Sequence, residues 1–126
     1  MMRPQSTAEI ALRSGDERTF FYEVMDFVDE ARRLRDPAML VDEPRKLAGV
    51  FEHGEIADAY LAAVAVSLAR ELRVTPPAWS LADSRKLERP WFAHPGARLR
   101  AMLLSESPAA FRERNLFVSA NALSRA

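Results

Sequence analysis

From Asp16 onward, apolar side chains fall at Phe20, Val24, Phe27, Ala31 and Leu34, steps of three and four that gather them on one side of a helix. Phe21, Met25 and Val28 widen the stripe, while Glu23, Asp26, Asp29 and Glu30 fall on the outer side. Arg32, Arg33 and Arg35 occupy the last turn, where positive charge suits the helix dipole, and Asp36-Pro37 stops the helix. A second pattern spans 55–73. There Ile56, Tyr60, Val64, Leu68 and Leu72 form one line and Leu61, Ala65 and Ala69 another. A helix apolar nearly all round belongs at the centre, and its alanines let a neighbour approach closely. The pattern therefore predicts that 16–35 and 55–73 pack together, with Phe20, Val24, Phe27, Tyr60, Val64 and Leu68 inside.

The remaining segments read as shorter pieces. "STAE", Ser6 to Glu9, has the spacing of a capping box and starts a short helix that Gly15 ends. Pro37, Pro44 and Gly49 limit the next stretch to short turns whose Leu40, Val41, Leu47, Val50 and Phe51 plug the core. Pro76 and Pro77 turn the chain, and residues 80–96 read as extended or loosely helical. Gly96 opens a helix that should face Leu99, Met102 and Leu103 inward and Arg98 and Arg100 outward. Ser107-Pro108 reads as an N-cap and first-turn pair before another short helix. Leu116, Phe117 and Val118 are the one strand-like segment, and Ser119 would cap a last helical turn. The sum is an all-α class: a single, mostly helical domain over 1–126 with at most one short strand-like segment near 116–118.

Composition narrows the chemistry. With 126 residues, 48% of them apolar, the chain can bury a core without staples. It has no cysteine, which removes disulfides, thiolate metal sites and a cysteine nucleophile, and fits a reducing cytoplasm. The longest apolar run without a charge, Ala59 to Ala69, is far short of the roughly 20 residues that span a bilayer. The start of the chain lacks the apolar stretch of a secretory signal. A soluble, cytoplasmic protein without membrane contact is expected. The net charge of zero conceals a polarity: residues 1–69 hold 8 basic and 13 acidic side chains, a net of −5, and residues 70–126 hold 10 and 5, a net of +5. Such polarity either offers a surface to a partner or is neutralised where the halves fold together.

Only two histidines are present. His53 stands with Glu52, Glu55 and Asp58 at a helix start, a set that could hold a divalent ion but matches no metal motif, and acids at a helix N-terminus already suit its dipole. With four scattered glycines there is no nucleophile elbow and no phosphate loop. Arginines interleave with aromatics in the basic half, as nucleic-acid binding needs, yet no stretch scans as a helix-turn-helix. In "PWFAHPG", prolines bracket Trp91 and Phe92, which therefore sit on a loop, either plugging a groove or waiting for a partner. His94, before Pro95, reads as a local hydrogen-bonding residue.

The second half, about Trp79 to Ala126, resembles small uncharacterised bacterial proteins and regulator-associated domains found at toxin–antitoxin-like loci. The pieces that carry the resemblance are Pro77-Ala78-Trp79, Pro90-Trp91-Phe92, Ser107-Pro108, Phe111-Arg112, Arg114-Asn115 and Phe117-Val118. It implies an antitoxin-like or regulatory role and brings no catalytic residue with it. Together these readings predict a non-catalytic protein-interaction module with a protein partner, no cofactor and no metal, and self-association left open. A nucleic-acid-binding regulator is the first alternative and a small metal-dependent enzyme the second. The expected partner surface gathers Arg85, Arg89, Trp91, Phe92, Arg112 and Arg114, because tryptophan and arginine so often dominate protein contacts.

Overall fold

A computed structural model describes residues 2–124. The chain is mostly helical. Helix α1 (Thr7–Arg13) precedes α2 (Glu17–Leu34), and a 3-10 turn over Pro37–Leu40 leads to α3 (Gly54–Glu71). Two more 3-10 turns, Ala78–Leu81 and Asp83–Arg85, lead to strand β1 (Trp91–Phe92). Helices α4 (Ala97–Glu106) and α5 (Ala109–Arg112) and strand β2 (Leu116–Phe117) follow. No helix among the described residues is long and apolar enough to cross a membrane.

Local chemistry sets the early boundaries. The Ser6 hydroxyl accepts from Glu9 N at 3.1 Å and starts α1, while the Glu9 carboxylate accepts from Gln5 N at 2.9 Å. The reciprocal half of the box is thus shifted by one residue from the expected Ser6 amide. Asp16 caps α2 by accepting from Thr19 N at 2.7 Å, and Asp36 caps the 3-10 turn by accepting from Ala38 N at 3.0 Å.

Helix α3 is the axis of the fold, with Ala57 through Val66 all buried. Helix α2 packs against it as expected, and Phe20, Val24, Phe27, Tyr60, Val64 and Leu68 all lie inside. The rings of Phe20, Phe21, Tyr60 and Phe111 meet edge to face, with centroids 5.0–6.1 Å apart, which links α2, α3 and α5. Arg32 ties the C-terminal ends of α2 and α3 to the end of the chain, donating to Glu71 at 2.8 Å and to Leu123 O at 2.6 Å.

Several sequence expectations are corrected. Leu34 ends the α2 stripe in solvent, 43% exposed, because the chain turns away at Arg35, whose φ is 52°. Helix α4 buries Leu103 alone; Leu99 and Met102, expected inside, are exposed, since this helix meets the rest of the fold along one narrow line against β2. Ser107 does not cap α5. Its hydroxyl accepts from Val118 N at 2.8 Å and so pins the end of β2 beneath the end of α4. Within the expected 116–118 segment Leu116–Phe117 form a strand, and its partner is the stretch expected as a loop: Trp91 pairs with Leu116 and Phe92 with Phe117 in a parallel two-stranded sheet. Ser119 heads a turn, with Ala122 N donating to Ser119 O at 3.1 Å, rather than a helical turn; the end of that expected segment, Arg125 and Ala126, lies outside the described residues.

Glu30 was expected on the outer side of α2 and is instead buried, covered by the segment that precedes α1. Its carboxylate accepts from Arg33 at 2.9 Å and from Gln5 Nε2 at 3.0 Å. These hydrogen bonds, Arg33 first and Gln5 second, hold its pKa down from 4.5 to about 2. A carboxylate depressed on folding stabilises the fold at pH values above its unfolded pKa and loses that contribution as pH falls through the folded one. The melting temperature should therefore drop as pH falls from 4.5 toward about 2, and Glu30→Gln should flatten that acid limb. Parallel limbs in wild type and variant would remove Glu30 as a source of the dependence.

Candidate functional site

The bracketed aromatics lie on β1, and the strand geometry assigns them different tasks. Trp91 N donates to Asn115 O at 2.9 Å and Ala93 N to Phe117 O at 3.0 Å, so β1 runs extended beside β2. Successive side chains on a strand point to opposite sides. Trp91 packs on the edge of the main core, half-buried. Phe92 stacks on Phe117, with centroids 5.0 Å apart at 20°, and the Arg100 guanidinium lies over the Phe92 ring at 5.2 Å. Both residues are thus half-buried, Trp91 against the core and Phe92 between Phe117 and Arg100.

The six residues expected on one partner surface are divided. Arg85 and Arg114 are withdrawn from it: both are fully buried, at 0% and 1% exposed. Arg85 donates to Pro44 O at 2.5 Å and Asp58 O at 3.3 Å, reaches Glu43 at 3.3 Å, and stacks over Trp79 at 5.0 Å. Arg114 donates to Ala110 O at 2.7 Å and Ser80 O at 2.8 Å, and desolvation lowers its pKa. The physical reason is the same for both. A guanidinium is a fork of donors, and irregular segments leave carbonyls that need donors, so the Ala78–Arg85 turns are stitched to α3 and α5 by buried arginines. Arg89 and Arg112 remain exposed. Arg89 shares with Trp91 a cleft of about 500 Å³ whose other charged side chains, Glu55, Lys86 and Glu88, are of both signs. Arg112 donates to Ser107 O at 2.7 Å on α5.

The alternative metal set is broken up as well. His53 keeps Glu52 at 3.5 Å and Glu55 at 3.9 Å at the surface, but the Asp58 carboxylate turns inward to accept from Leu47 N at 2.6 Å and Ala48 N at 3.1 Å. Asp58 is an anchor for the connector, held beside Arg85 at 3.9 Å.

Helix α4 carries the surface that sequence reasoning missed. Leu99, Met102 and Leu104 are 39%, 46% and 50% exposed, beside the exposed Arg98 and Arg100 and adjoining Phe92 through Arg100. A signal was present: apolar residues at 99, 102, 103 and 104 cover more of a ten-residue helix than one narrow contact line can bury. Compared with protein-family models, with curated proteins and with solved structures, the chain finds no match.

Proposed function

We propose that the chain is a non-catalytic protein-interaction module, an antitoxin-like or regulatory member of a bacterial protein pair, and that α4 with the adjoining Phe92 is its contact face. The observation that carries this reading is that α4 leaves Leu99, Met102 and Leu104 exposed around its one buried residue, Leu103, beside Arg98 and Arg100. Apolar side chains grouped on one helix and rimmed by charge are what a docking helix presents. The charge also limits the partner. The first turn of α4 holds two arginines and no acid, and Glu106 is its only carboxylate, so the complementary surface is an apolar segment flanked by acids. The burial of Arg85 and Arg114 favours this reading over nucleic acid, because it removes two of the cations that phosphates would need.

The test is capture of the partner from the organism of origin by wild type and by the double variant Met102→Glu with Leu104→Glu. Both side chains are exposed, so the variant should melt within a degree or two of wild type and lose at least about 2 kcal/mol of binding. A partner held equally by both proteins overturns the α4 assignment. Release that weakens by orders of magnitude between about 50 and 200 mM salt would point to phosphate contacts instead.

A further inference from the structure

On the Trp91 side of β1 lies a second cleft, of about 270 Å³, lined by Glu17, Phe21, Tyr60, Trp91, His94 and Ser119 among others. Three elements bring its aromatic residues and its carboxylate, and the segment after β2 closes it: the first turns of α2 bring Glu17 and Phe21, α3 brings Tyr60, β1 brings Trp91, and Val118, Ser119 and Ala122 follow β2. The Phe21 and Tyr60 rings stand 5.2 Å apart at 89°, so they meet as a corner rather than a stack, and Trp91 is the third aromatic residue of the lining. The Tyr60 phenol, uncharged at neutral pH even at its ordinary value, is pushed up further by burial, to about 12.

The electrostatics of the lining stand out in an arginine-rich chain. Among the described residues no lysine or arginine lines this cleft; Glu17, an exposed residue, contributes its one carboxylate and His94 its one imidazole. Aromatic faces are electron-rich and attract cations whose hydration is weak, and a carboxylate at the rim adds a charge term. A hydrated ammonium or metal ion would need hard oxygen ligands in number, and one carboxylate does not supply them. An anion would meet the Glu17 carboxylate, with His94 the one titratable nitrogen among the described lining side chains. The group that satisfies both the apolar walls and the acidic rim is an alkylated ammonium, which has low desolvation cost and a full positive charge.

We infer that the cleft walled by Phe21, Tyr60 and Trp91 and rimmed by Glu17 binds a quaternary ammonium group. The reading is independent of docking on α4, because it uses the opposite side of β1 and different side chains. The cation can be borne by a free small molecule or by a trimethylated lysine in a protein tail, and the same chemistry recognises both.

The experiment titrates the full chain with choline, with its neutral isostere 3,3-dimethylbutan-1-ol and with a short trimethyllysine peptide, at matched ionic strength, following NMR shifts of the Trp91 indole and the Phe21 and Tyr60 rings. Choline or the peptide should saturate these shifts and bind roughly tenfold more tightly than the isostere. Preference for choline assigns a free ligand, and preference for the peptide assigns a methylated tail. Glu17→Gln, at an exposed position, should leave melting unchanged and weaken the cation several-fold, while Trp91→Leu should abolish the shifts. Equal binding of choline and isostere, cation binding unaltered by Glu17→Gln, or no saturable shift with any probe each overturns the inference. Should Trp91→Leu fail to fold, the isostere comparison on wild type and the Glu17 variant decide it alone. The α4 double variant should bind choline as wild type does, so failure of either proposal is read separately.

Discussion

Asp58→Ala should destabilise the fold by about 3–5 kcal/mol, the cost of breaking a buried charged contact by removing one side. Asp58 is 3% exposed, and its two oxygens accept from the Leu47 and Ala48 amides at 2.6 and 3.1 Å. Its removal leaves those donors without an acceptor and leaves the Arg85 guanidinium, 0% exposed, with one counter-charge fewer in a dry site. Glu43 stays within 3.3 Å of Arg85, but its side chain is 56% exposed and its attraction is screened. Asp58→Asn should fall between wild type and alanine, since the amide keeps one acceptor and loses the charge. Urea denaturation measures the series. A loss below about 1 kcal/mol for alanine would mean that water or Glu43 replaces the carboxylate, and that Asp58 does not anchor the connector.

Gly54→Ala acts on the same corner by a different force. Alanine in a helix normally gains about 1 kcal/mol over glycine. At this position a Cβ would stand 1.9 Å from Leu47 O, 2.4 Å from Leu47 C and 2.9 Å from Ala48 N, all backbone atoms that cannot rotate away. The clash outweighs the propensity gain, and the expected loss is about 3 kcal/mol or more. Gly15 is the control, because nothing lies within 4 Å of a Cβ placed there. Gly15→Ala should leave thermal melting nearly unchanged while Gly54→Ala lowers it sharply. Equal melting of the two variants would show that the connector does not sit tightly on the start of α3.

These two residues illustrate what was readable and what was not. Glu52, His53, Glu55 and Asp58 are spaced like a ligand set along the chain, and nothing local distinguishes Asp58 from the others. Its role depends on Leu47 and Ala48, about ten residues away, being folded back over it. Arg85 and Arg114 posed the same difficulty. A sequence shows their charge, which argues for the surface, but not the carbonyls of Pro44, Ser80 and Ala110 that accept from them inside. The cleft walls were out of reach for a further reason: Glu17 and Phe21, Tyr60 and Trp91 come from three separate stretches, and only their convergence makes an aromatic corner.

What the sequence determined by itself is the helical class, the cap at Ser6, and the pairing of the amphipathic α2 with the apolar α3. Those features rest on interactions within four residues, or on a stripe so apolar that it has one stable placement. The tertiary structure alone decided which arginines enter the core, that Trp91 and Phe92 face opposite ways on a strand paired with Leu116 and Phe117, and that α4 keeps its apolar residues in solvent. These outcomes turn on which distant backbone groups lack partners and on how little of α4 the rest of the fold can cover, and neither quantity is a property of any local stretch of chain.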